Sequence, residues 1–180
     1  MMDYNCIIGI DPGANGGVSV CADGRVTVIK MPKNVALLSD ALTHYRQNFR
    51  AVAFVEKLAI RHDDLQGGKV FRIRKMIANQ EQLKAVLSLC GLDICEVHPL
   101  TWQSRLGLRI ISEEKSERKR RYKTIASELY PQVKVTMWNC DALLIMRYGR
   151  TMLESTQRKD VRWLAGNLII NSNNSIYNLI

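Results

Sequence analysis

The sequence has no apolar run approaching the length of about 20 residues that crosses a bilayer, which excludes a helical membrane protein as far as the 180 residues go. Its start, Met1-Met2-Asp3-Tyr4-Asn5, lacks the basic and then apolar layout of a signal peptide. The expected location is cytoplasmic, with no membrane partner. The five cysteines (Cys6, Cys21, Cys90, Cys95 and Cys140) are odd in number and include no Cys-x-x-Cys pair. That argues against a disulfide framework or a zinc site and for buried free thiols. No internal repeat and no linker marks a second domain. The expected division is one domain over residues 1–150 and an extension of uncertain structure over 151–180.

What the chain has is an ordinary globular apolar content, 47%, which excludes wholesale disorder. It also has an excess of base: 26 Lys and Arg against 17 Asp and Glu, a net charge of +9. A polyanion suits such a surface, because lysine and arginine release counterions from phosphates. Net charge alone specifies no partner.

The chain opens with Ile7-Ile8-Gly9-Ile10-Asp11, an apolar run that delivers one carboxylate into Pro12-Gly13-Ala14-Asn15-Gly16-Gly17. Val18–Ala22 and Val26–Lys30 follow across Asp23-Gly24, a strong hairpin signal because type I′ turns need positive φ. Three antiparallel strands are therefore expected first. Val35 to Gln47 reads as a helix with Leu38, Ala41, Leu42 and Tyr45 on one face. Ala51–Glu56 is an apolar strand that closes on a second carboxylate, and after a loop through Asp63 and Asp64 a long helix runs from about Lys69 to Cys90. Asp93–Val97 is a strand leading through His98-Pro99 to a short helix around Trp102. Ser112-Glu113-Glu114 has the composition of a helix start. Tyr122, Ile125, Ala126, Leu129 and Tyr130 form the apolar stripe of that helix up to Pro131. Lys134-Val135-Thr136 is either a connection or a short strand. Asp141–Tyr148 reads as a helix ended by Gly149, and Val161–Ile170 as a packed helix before the loop-like Asn171–Ser175.

Asp11, Glu56 and Asp141 thus each stand at the edge of an apolar element. Each also has an ordinary reading. Asp11 can open an Asp-Pro-Gly turn, Glu56 can pair with an arginine, and Asp141 can cap its helix. Gathered at one end of a sheet, the three would repel unless divalent cations neutralised them, and hard oxygen donors favour Mg²⁺ or Mn²⁺ over zinc. An acidic metal cluster on a basic protein points to phosphoryl chemistry on nucleic acid, a nuclease.

Gly9-Ile10-Asp11-Pro12-Gly13, Val55-Glu56 and Asp141-Ala142-Leu143-Leu144-Ile145, in this order, resemble the RuvC family of Holliday junction resolvases, particularly variants carried by bacteriophages. The resemblance covers residues 5–150. It implies an α/β, ribonuclease H-like fold: a mixed central sheet of three antiparallel strands followed by parallel ones, flanked by helices. It also implies a homodimer that cleaves two strands of a four-way DNA junction symmetrically, with Mg²⁺ (or Mn²⁺ in its place) and no small-molecule cofactor, in recombination and repair within a bacterial or phage-infected cell. Asp11, Glu56 and Asp141 match the family's metal-binding acids.

One position departs from the pattern. The family carries an Asp or His three residues before the last aspartate, and here Trp138 stands there. The fourth ligand is then absent, supplied elsewhere (Asp63 and Asp64 are candidates) or replaced by water, and a junction binder without cleavage is an alternative. The family's aromatic after the second acid has Phe71 as its nearest counterpart, and helical packing reads Phe71 as core. The cluster Lys115, Arg118, Lys119, Arg120, Arg121 and Lys123 is either a solvated helix face or a contact for DNA phosphates. His98 and the tryptophans Trp102, Trp138 and Trp163 read as structural. A nuclease for RNA or other branched DNA is a rival reading. The actin-like and sugar-kinase ATPases share the Gly-Ile-Asp-x-Gly opening, but they need two large domains.

Overall fold

The computed structural model describes residues 4–60, 70–157 and 169–170. Its centre is a sheet of order β3-β2-β1-β4-β5-β6. The strands are β1 (Cys6–Asp11), β2 (Gly17–Ala22), β3 (Arg25–Lys30), β4 (Ala51–Glu56), β5 (Asp93–Val97) and β6 (Ile169–Ile170). β1, β2 and β3 are antiparallel neighbours, while β4 and β5 continue the sheet parallel to β1. The β2–β3 turn has the expected chemistry: Asp23 and Gly24 have φ of 46° and 75°, as a type I′ hairpin requires.

Alternation along the strands divides the apolar side chains between two layers. On one face Ile8, Ile10, Val18, Val20, Ala53 and Val55 pack with Leu38 and Leu42 of α1 (Val35–Asn48) and with Leu83 and Leu87 of α2 (Val70–Leu89). On the other face Val52, Phe54 and Val97 pack beneath α3 (Pro99–Arg105), α4 (Lys115–Leu129) and α5 (Cys140–Gln157), with Trp102, Tyr122 and Leu143–Met146 in their core. The result is a helix–sheet–helix sandwich, the expected fold class. Among the described residues, no helix is long and apolar enough to cross a membrane.

Several expectations are corrected. α4 starts at Lys115, not at Ser112. Ser112 has φ of 63°, a conformation outside the helix, and Glu114 flanks the helix without a side-chain cap. Leu129 is 42% exposed, so the stripe of α4 buries Tyr122, Ala126 and Tyr130. Gly149 does not end α5, which runs on to Gln157. It is there for space: a Cβ on Gly149 would stand 2.4 Å from the Phe54 ring. Lys134–Thr136 is a connection, and Ile169–Ile170 pair with β5 as a strand instead of ending a helix. Residues 161–168 (Trp163 among them), 171–175, His62, Asp63 and Asp64 lie outside the described residues. Cys6, Cys95 and Cys140 are buried free thiols as expected, while Cys21 and Cys90 are only partly covered.

Candidate active site

Strand parity aims two of the three acids the same way. Ile10 and Val55 point into the α1–α2 layer, so Asp11 and Glu56, each one residue further on, emerge on the α5 side. β1 and β4 are parallel, with Ile10 opposite Val55, so both acids leave the same end of neighbouring strands. Asp141 arrives from above, in the first turn of α5. That helix lies against β1 at Gly9, where a Cβ would stand 2.3 Å from the Ala142 carbonyl oxygen. Only a residue without a side chain allows so close a crossing. The buried Ser19 hydroxyl secures it by donating to the Ala142 carbonyl at 2.6 Å.

The start of α5 is held by Asn139, fully buried. Its Oδ1 accepts from the Thr136 amide at 2.7 Å, and its Nδ2 donates to the Lys134 carbonyl at 3.1 Å. Trp138, at the place of the family's fourth ligand, turns its ring over the strand backbone instead. A Cβ on Gly17 would meet that ring at 2.8 Å.

The three carboxylates feel one another. Burial, then the charge of Asp141, raises the Asp11 carboxyl above its ordinary value against the pull of Lys119, the Gly13 amide and Lys115. Burial, then Asp11 and Asp141, pushes Glu56 up to about 8, against the Trp102 hydrogen bond and Lys119. Asp141 is paired: Lys119 Nζ lies 2.5 Å from its Oδ2. Burial disfavours the Lys119 charge, but Asp141 outweighs this and the ammonium is held more firmly than usual.

Such a donor set suits a hard divalent cation, which would offset the burial and the mutual repulsion that keep Asp11 and Glu56 reluctant to ionise. The side chains are not gathered around one point, however. Among the described residues, no three His, Cys, Asp or Glu side chains converge closely enough to share an ion. Two of the acids are engaged by other side chains. Asp141 is engaged by Lys119, and Glu56 Oε1 is turned to the Trp102 indole N–H at 3.4 Å.

A cleft of about 450 Å³ opens beside Asp11 and Glu56 and is lined also by Arg72, Lys75, Asn79 and Gln80 of α2. Gln80 is buried and braces the end of β4: its Oε1 accepts from the Leu58 amide at 2.9 Å, and its Nε2 donates to Glu96 Oε1 at 3.2 Å.

The basic cluster of α4 divides by role. Lys119 faces the acids. Arg121 forks onto Glu113 and also donates to the Leu108 carbonyl at 2.8 Å. Arg120 and Lys123 line a shallow groove with Thr124, Ser127 and Met137. Among the described residues, no ion pair engages Lys115, Arg118, Arg120 or Lys123. His98 is structural, its Nδ1 accepting from the Leu100 amide at 3.2 Å to cap α3. Phe71 is not core: it is 80% exposed near the start of α2.

Sequence reasoning overlooked Arg72 and Lys75, whose three-residue spacing on the helix after the second acid was the available signal. The contact of Trp102 with Glu56, 46 positions apart, left no local signal.

No protein-family model and no curated protein matches the sequence. Among solved structures, Thermus thermophilus RuvC in complex with a Holliday junction substrate aligns with a TM-score of 0.55, and a second Thermus thermophilus RuvC structure with 0.53. Both alignments are at 14% identity and cover 83% of this chain and 96% of the RuvC chain. At that identity the likeness speaks for architecture: the chain has the mixed-sheet, ribonuclease H-like fold of RuvC.

Proposed function

We propose that the protein is a divalent-metal-dependent, structure-selective DNA endonuclease that resolves four-way junctions by symmetric cleavage as a homodimer. The observation that carries this reading is the placement of Asp11 and Glu56 at the same end of neighbouring strands of a RuvC-like sheet, with Asp141 in the first turn of the helix above them, beside a cleft also lined by Arg72 and Lys75. Asp11, Glu56 and Asp141 would hold Mg²⁺, or Mn²⁺ in its place. A bound cation supplies activation of water and neutralisation of charge at the scissile phosphate.

The chain's own groups do the rest. Arg72 and Lys75 grip the backbone in the cleft, while Lys115, Arg118, Arg120 and Lys123 hold flanking phosphates. Contacts of this kind read branch shape more than base edges. Trp102 steadies Glu56, and Gly9 and Asn139 keep the start of α5, and with it Asp141, over the strand ends.

The test is a synthetic four-way junction incubated with the protein and Mg²⁺. Paired nicks at symmetric positions are expected, with none from Asp11→Asn; cleavage that persists in that variant removes the assigned site. Matched duplex, flap and RNA substrates separate a resolvase from a broader nuclease. A second reading, a junction binder that does not cleave, is favoured by Trp138 at the fourth position and by the engagement of Asp141 with Lys119. It expects tight junction binding with no nicking in either Mg²⁺ or Mn²⁺.

A further inference from the structure

Lys119 is the only lysine or arginine with a carboxylate of the three in its grasp among the described residues. It belongs to a different helix, α4, and reaches across to α5. Its Nζ lies 2.5 Å from Asp141 Oδ2, with both side chains partly covered, 27% and 18% exposed. The charge of Lys119 also acts on Asp11 and on Glu56, so it serves all three acids at once. It therefore already performs the neutralising task that a cluster of buried carboxylates demands.

Resting on the proposed metal-dependent function, we infer that Lys119 is a displaceable internal cation: it neutralises the acidic cluster while no divalent ion is bound and must release Asp141 for an ion to bind.

The ammonium occupies Asp141 Oδ2, so an ion that takes this oxygen meets a second positive centre at hydrogen-bond range and is opposed by it. The lysine can leave. Its stem is flexible, its side chain is part-exposed, and the adjoining face of α4 is open to water at Arg120 and Lys123. Asp141, fixed in the first turn of α5 beside the close crossing at Gly9, cannot move away as readily. The lysine would thus keep the three acids from expelling one another in the resting protein, and set a threshold concentration below which the site stays unfilled.

Competition of this kind makes a prediction contrary to that of a simple supporting residue. The probe is Mn²⁺ alone, with no DNA, titrated calorimetrically into the whole protein, into K119M, which keeps the stem and removes the charge, and into K119R, which keeps the charge. K119M is expected to bind Mn²⁺ at least about fivefold more tightly than the natural protein, and K119R no more tightly. A second measurement is the rise in melting temperature on adding Mn²⁺, expected to be larger for K119M because, at a given concentration, a tighter-bound ligand stabilises the folded state more. Affinity that is unchanged or weaker in K119M, with no larger thermal shift, overturns the inference while leaving the metal site standing. If neither protein binds Mn²⁺, the metal site itself fails and the inference with it. K119Q serves as a second neutral variant should K119M not fold.

Discussion

The backbone of Gly9 in β1 lies directly against that of Met146 in α5: a Cβ on Gly9 would stand 2.4 Å from the Met146 amide nitrogen. Both partners are backbone, so neither can rotate aside. Gly9→Ala is expected to lift α5 from the sheet at a cost of about 3 kcal/mol, the upper end of ordinary overpacking. Urea denaturation measures the loss. The same displacement carries Asp141 away from Asp11, so Mn²⁺ affinity should fall as well. A loss of stability below about 1 kcal/mol would show that the crossing is looser than described.

Glu56 gives a pH dependence with a definite sign. Its folded value is raised from 4.5 to about 8, so between those limits the folded protein holds a proton that the unfolded chain has released. Stability therefore falls as pH rises through the window, with the penalty absent below 4.5 and complete above about 8. Asp11, also raised, adds a slope of the same sign. In chelator, the melting temperature of the natural protein relative to Glu56→Gln should decline steadily from pH 5 to pH 8. Saturating Mn²⁺ should flatten the decline, because a bound cation favours the ionised carboxylate. A difference that rises with pH would contradict the burial and crowding of Glu56.

How much of this could be read from residues alone follows from which interactions are local. Asp23-Gly24 announced its hairpin because a type I′ turn is written in two adjacent residues. Asp11 and Glu56 were visible as acids ending apolar strands, and their common direction follows from strand parity. Gly149 was misread as a stop because glycine weakens helices by propensity, while its purpose, room for Phe54, is a contact between residues 95 positions apart. Phe71 was misread as core because a lone aromatic on a helix usually packs, yet the first turns of α2 leave Phe71, Val70 and Ile77 outside the core. Lys119 and Arg121 looked alike in sequence, and only their partners distinguish them.

The basic lining of the cleft supplies a test of the DNA path. Arg72 and Lys75 line it together with Asp11 and Glu56. Substituting both with glutamine should weaken junction binding and reduce the slope of log affinity against log salt by about 2, one counterion for each phosphate that is no longer neutralised. Mn²⁺ binding without DNA should be unaffected. Fluorescence anisotropy on a labelled junction across a salt series measures the slope. An unchanged slope would place the DNA along α4 alone.

Asn139 tests whether the acid on α5 depends on the turn before it. The amide is fully buried, accepting from the Thr136 N–H and donating to the Lys134 carbonyl, while its own carbonyl starts the helix by accepting from Leu143 at 3.0 Å. Asn139→Ala leaves one donor and one acceptor in the turn without their partner, a loss of about 2 kcal/mol. Asn139→Asp keeps the acceptor and loses the donor, and it buries a further negative charge two residues from Asp141. The aspartate variant should therefore be the less stable of the two near neutral pH and should recover towards the alanine variant on acidification, as its carboxyl takes up a proton. Thermal melts of both variants at pH 5 and pH 7.5 decide the matter. An aspartate variant as stable as the natural protein at pH 7.5 would mean that the turn ahead of α5 is wetter and less constrained than its hydrogen bonds indicate.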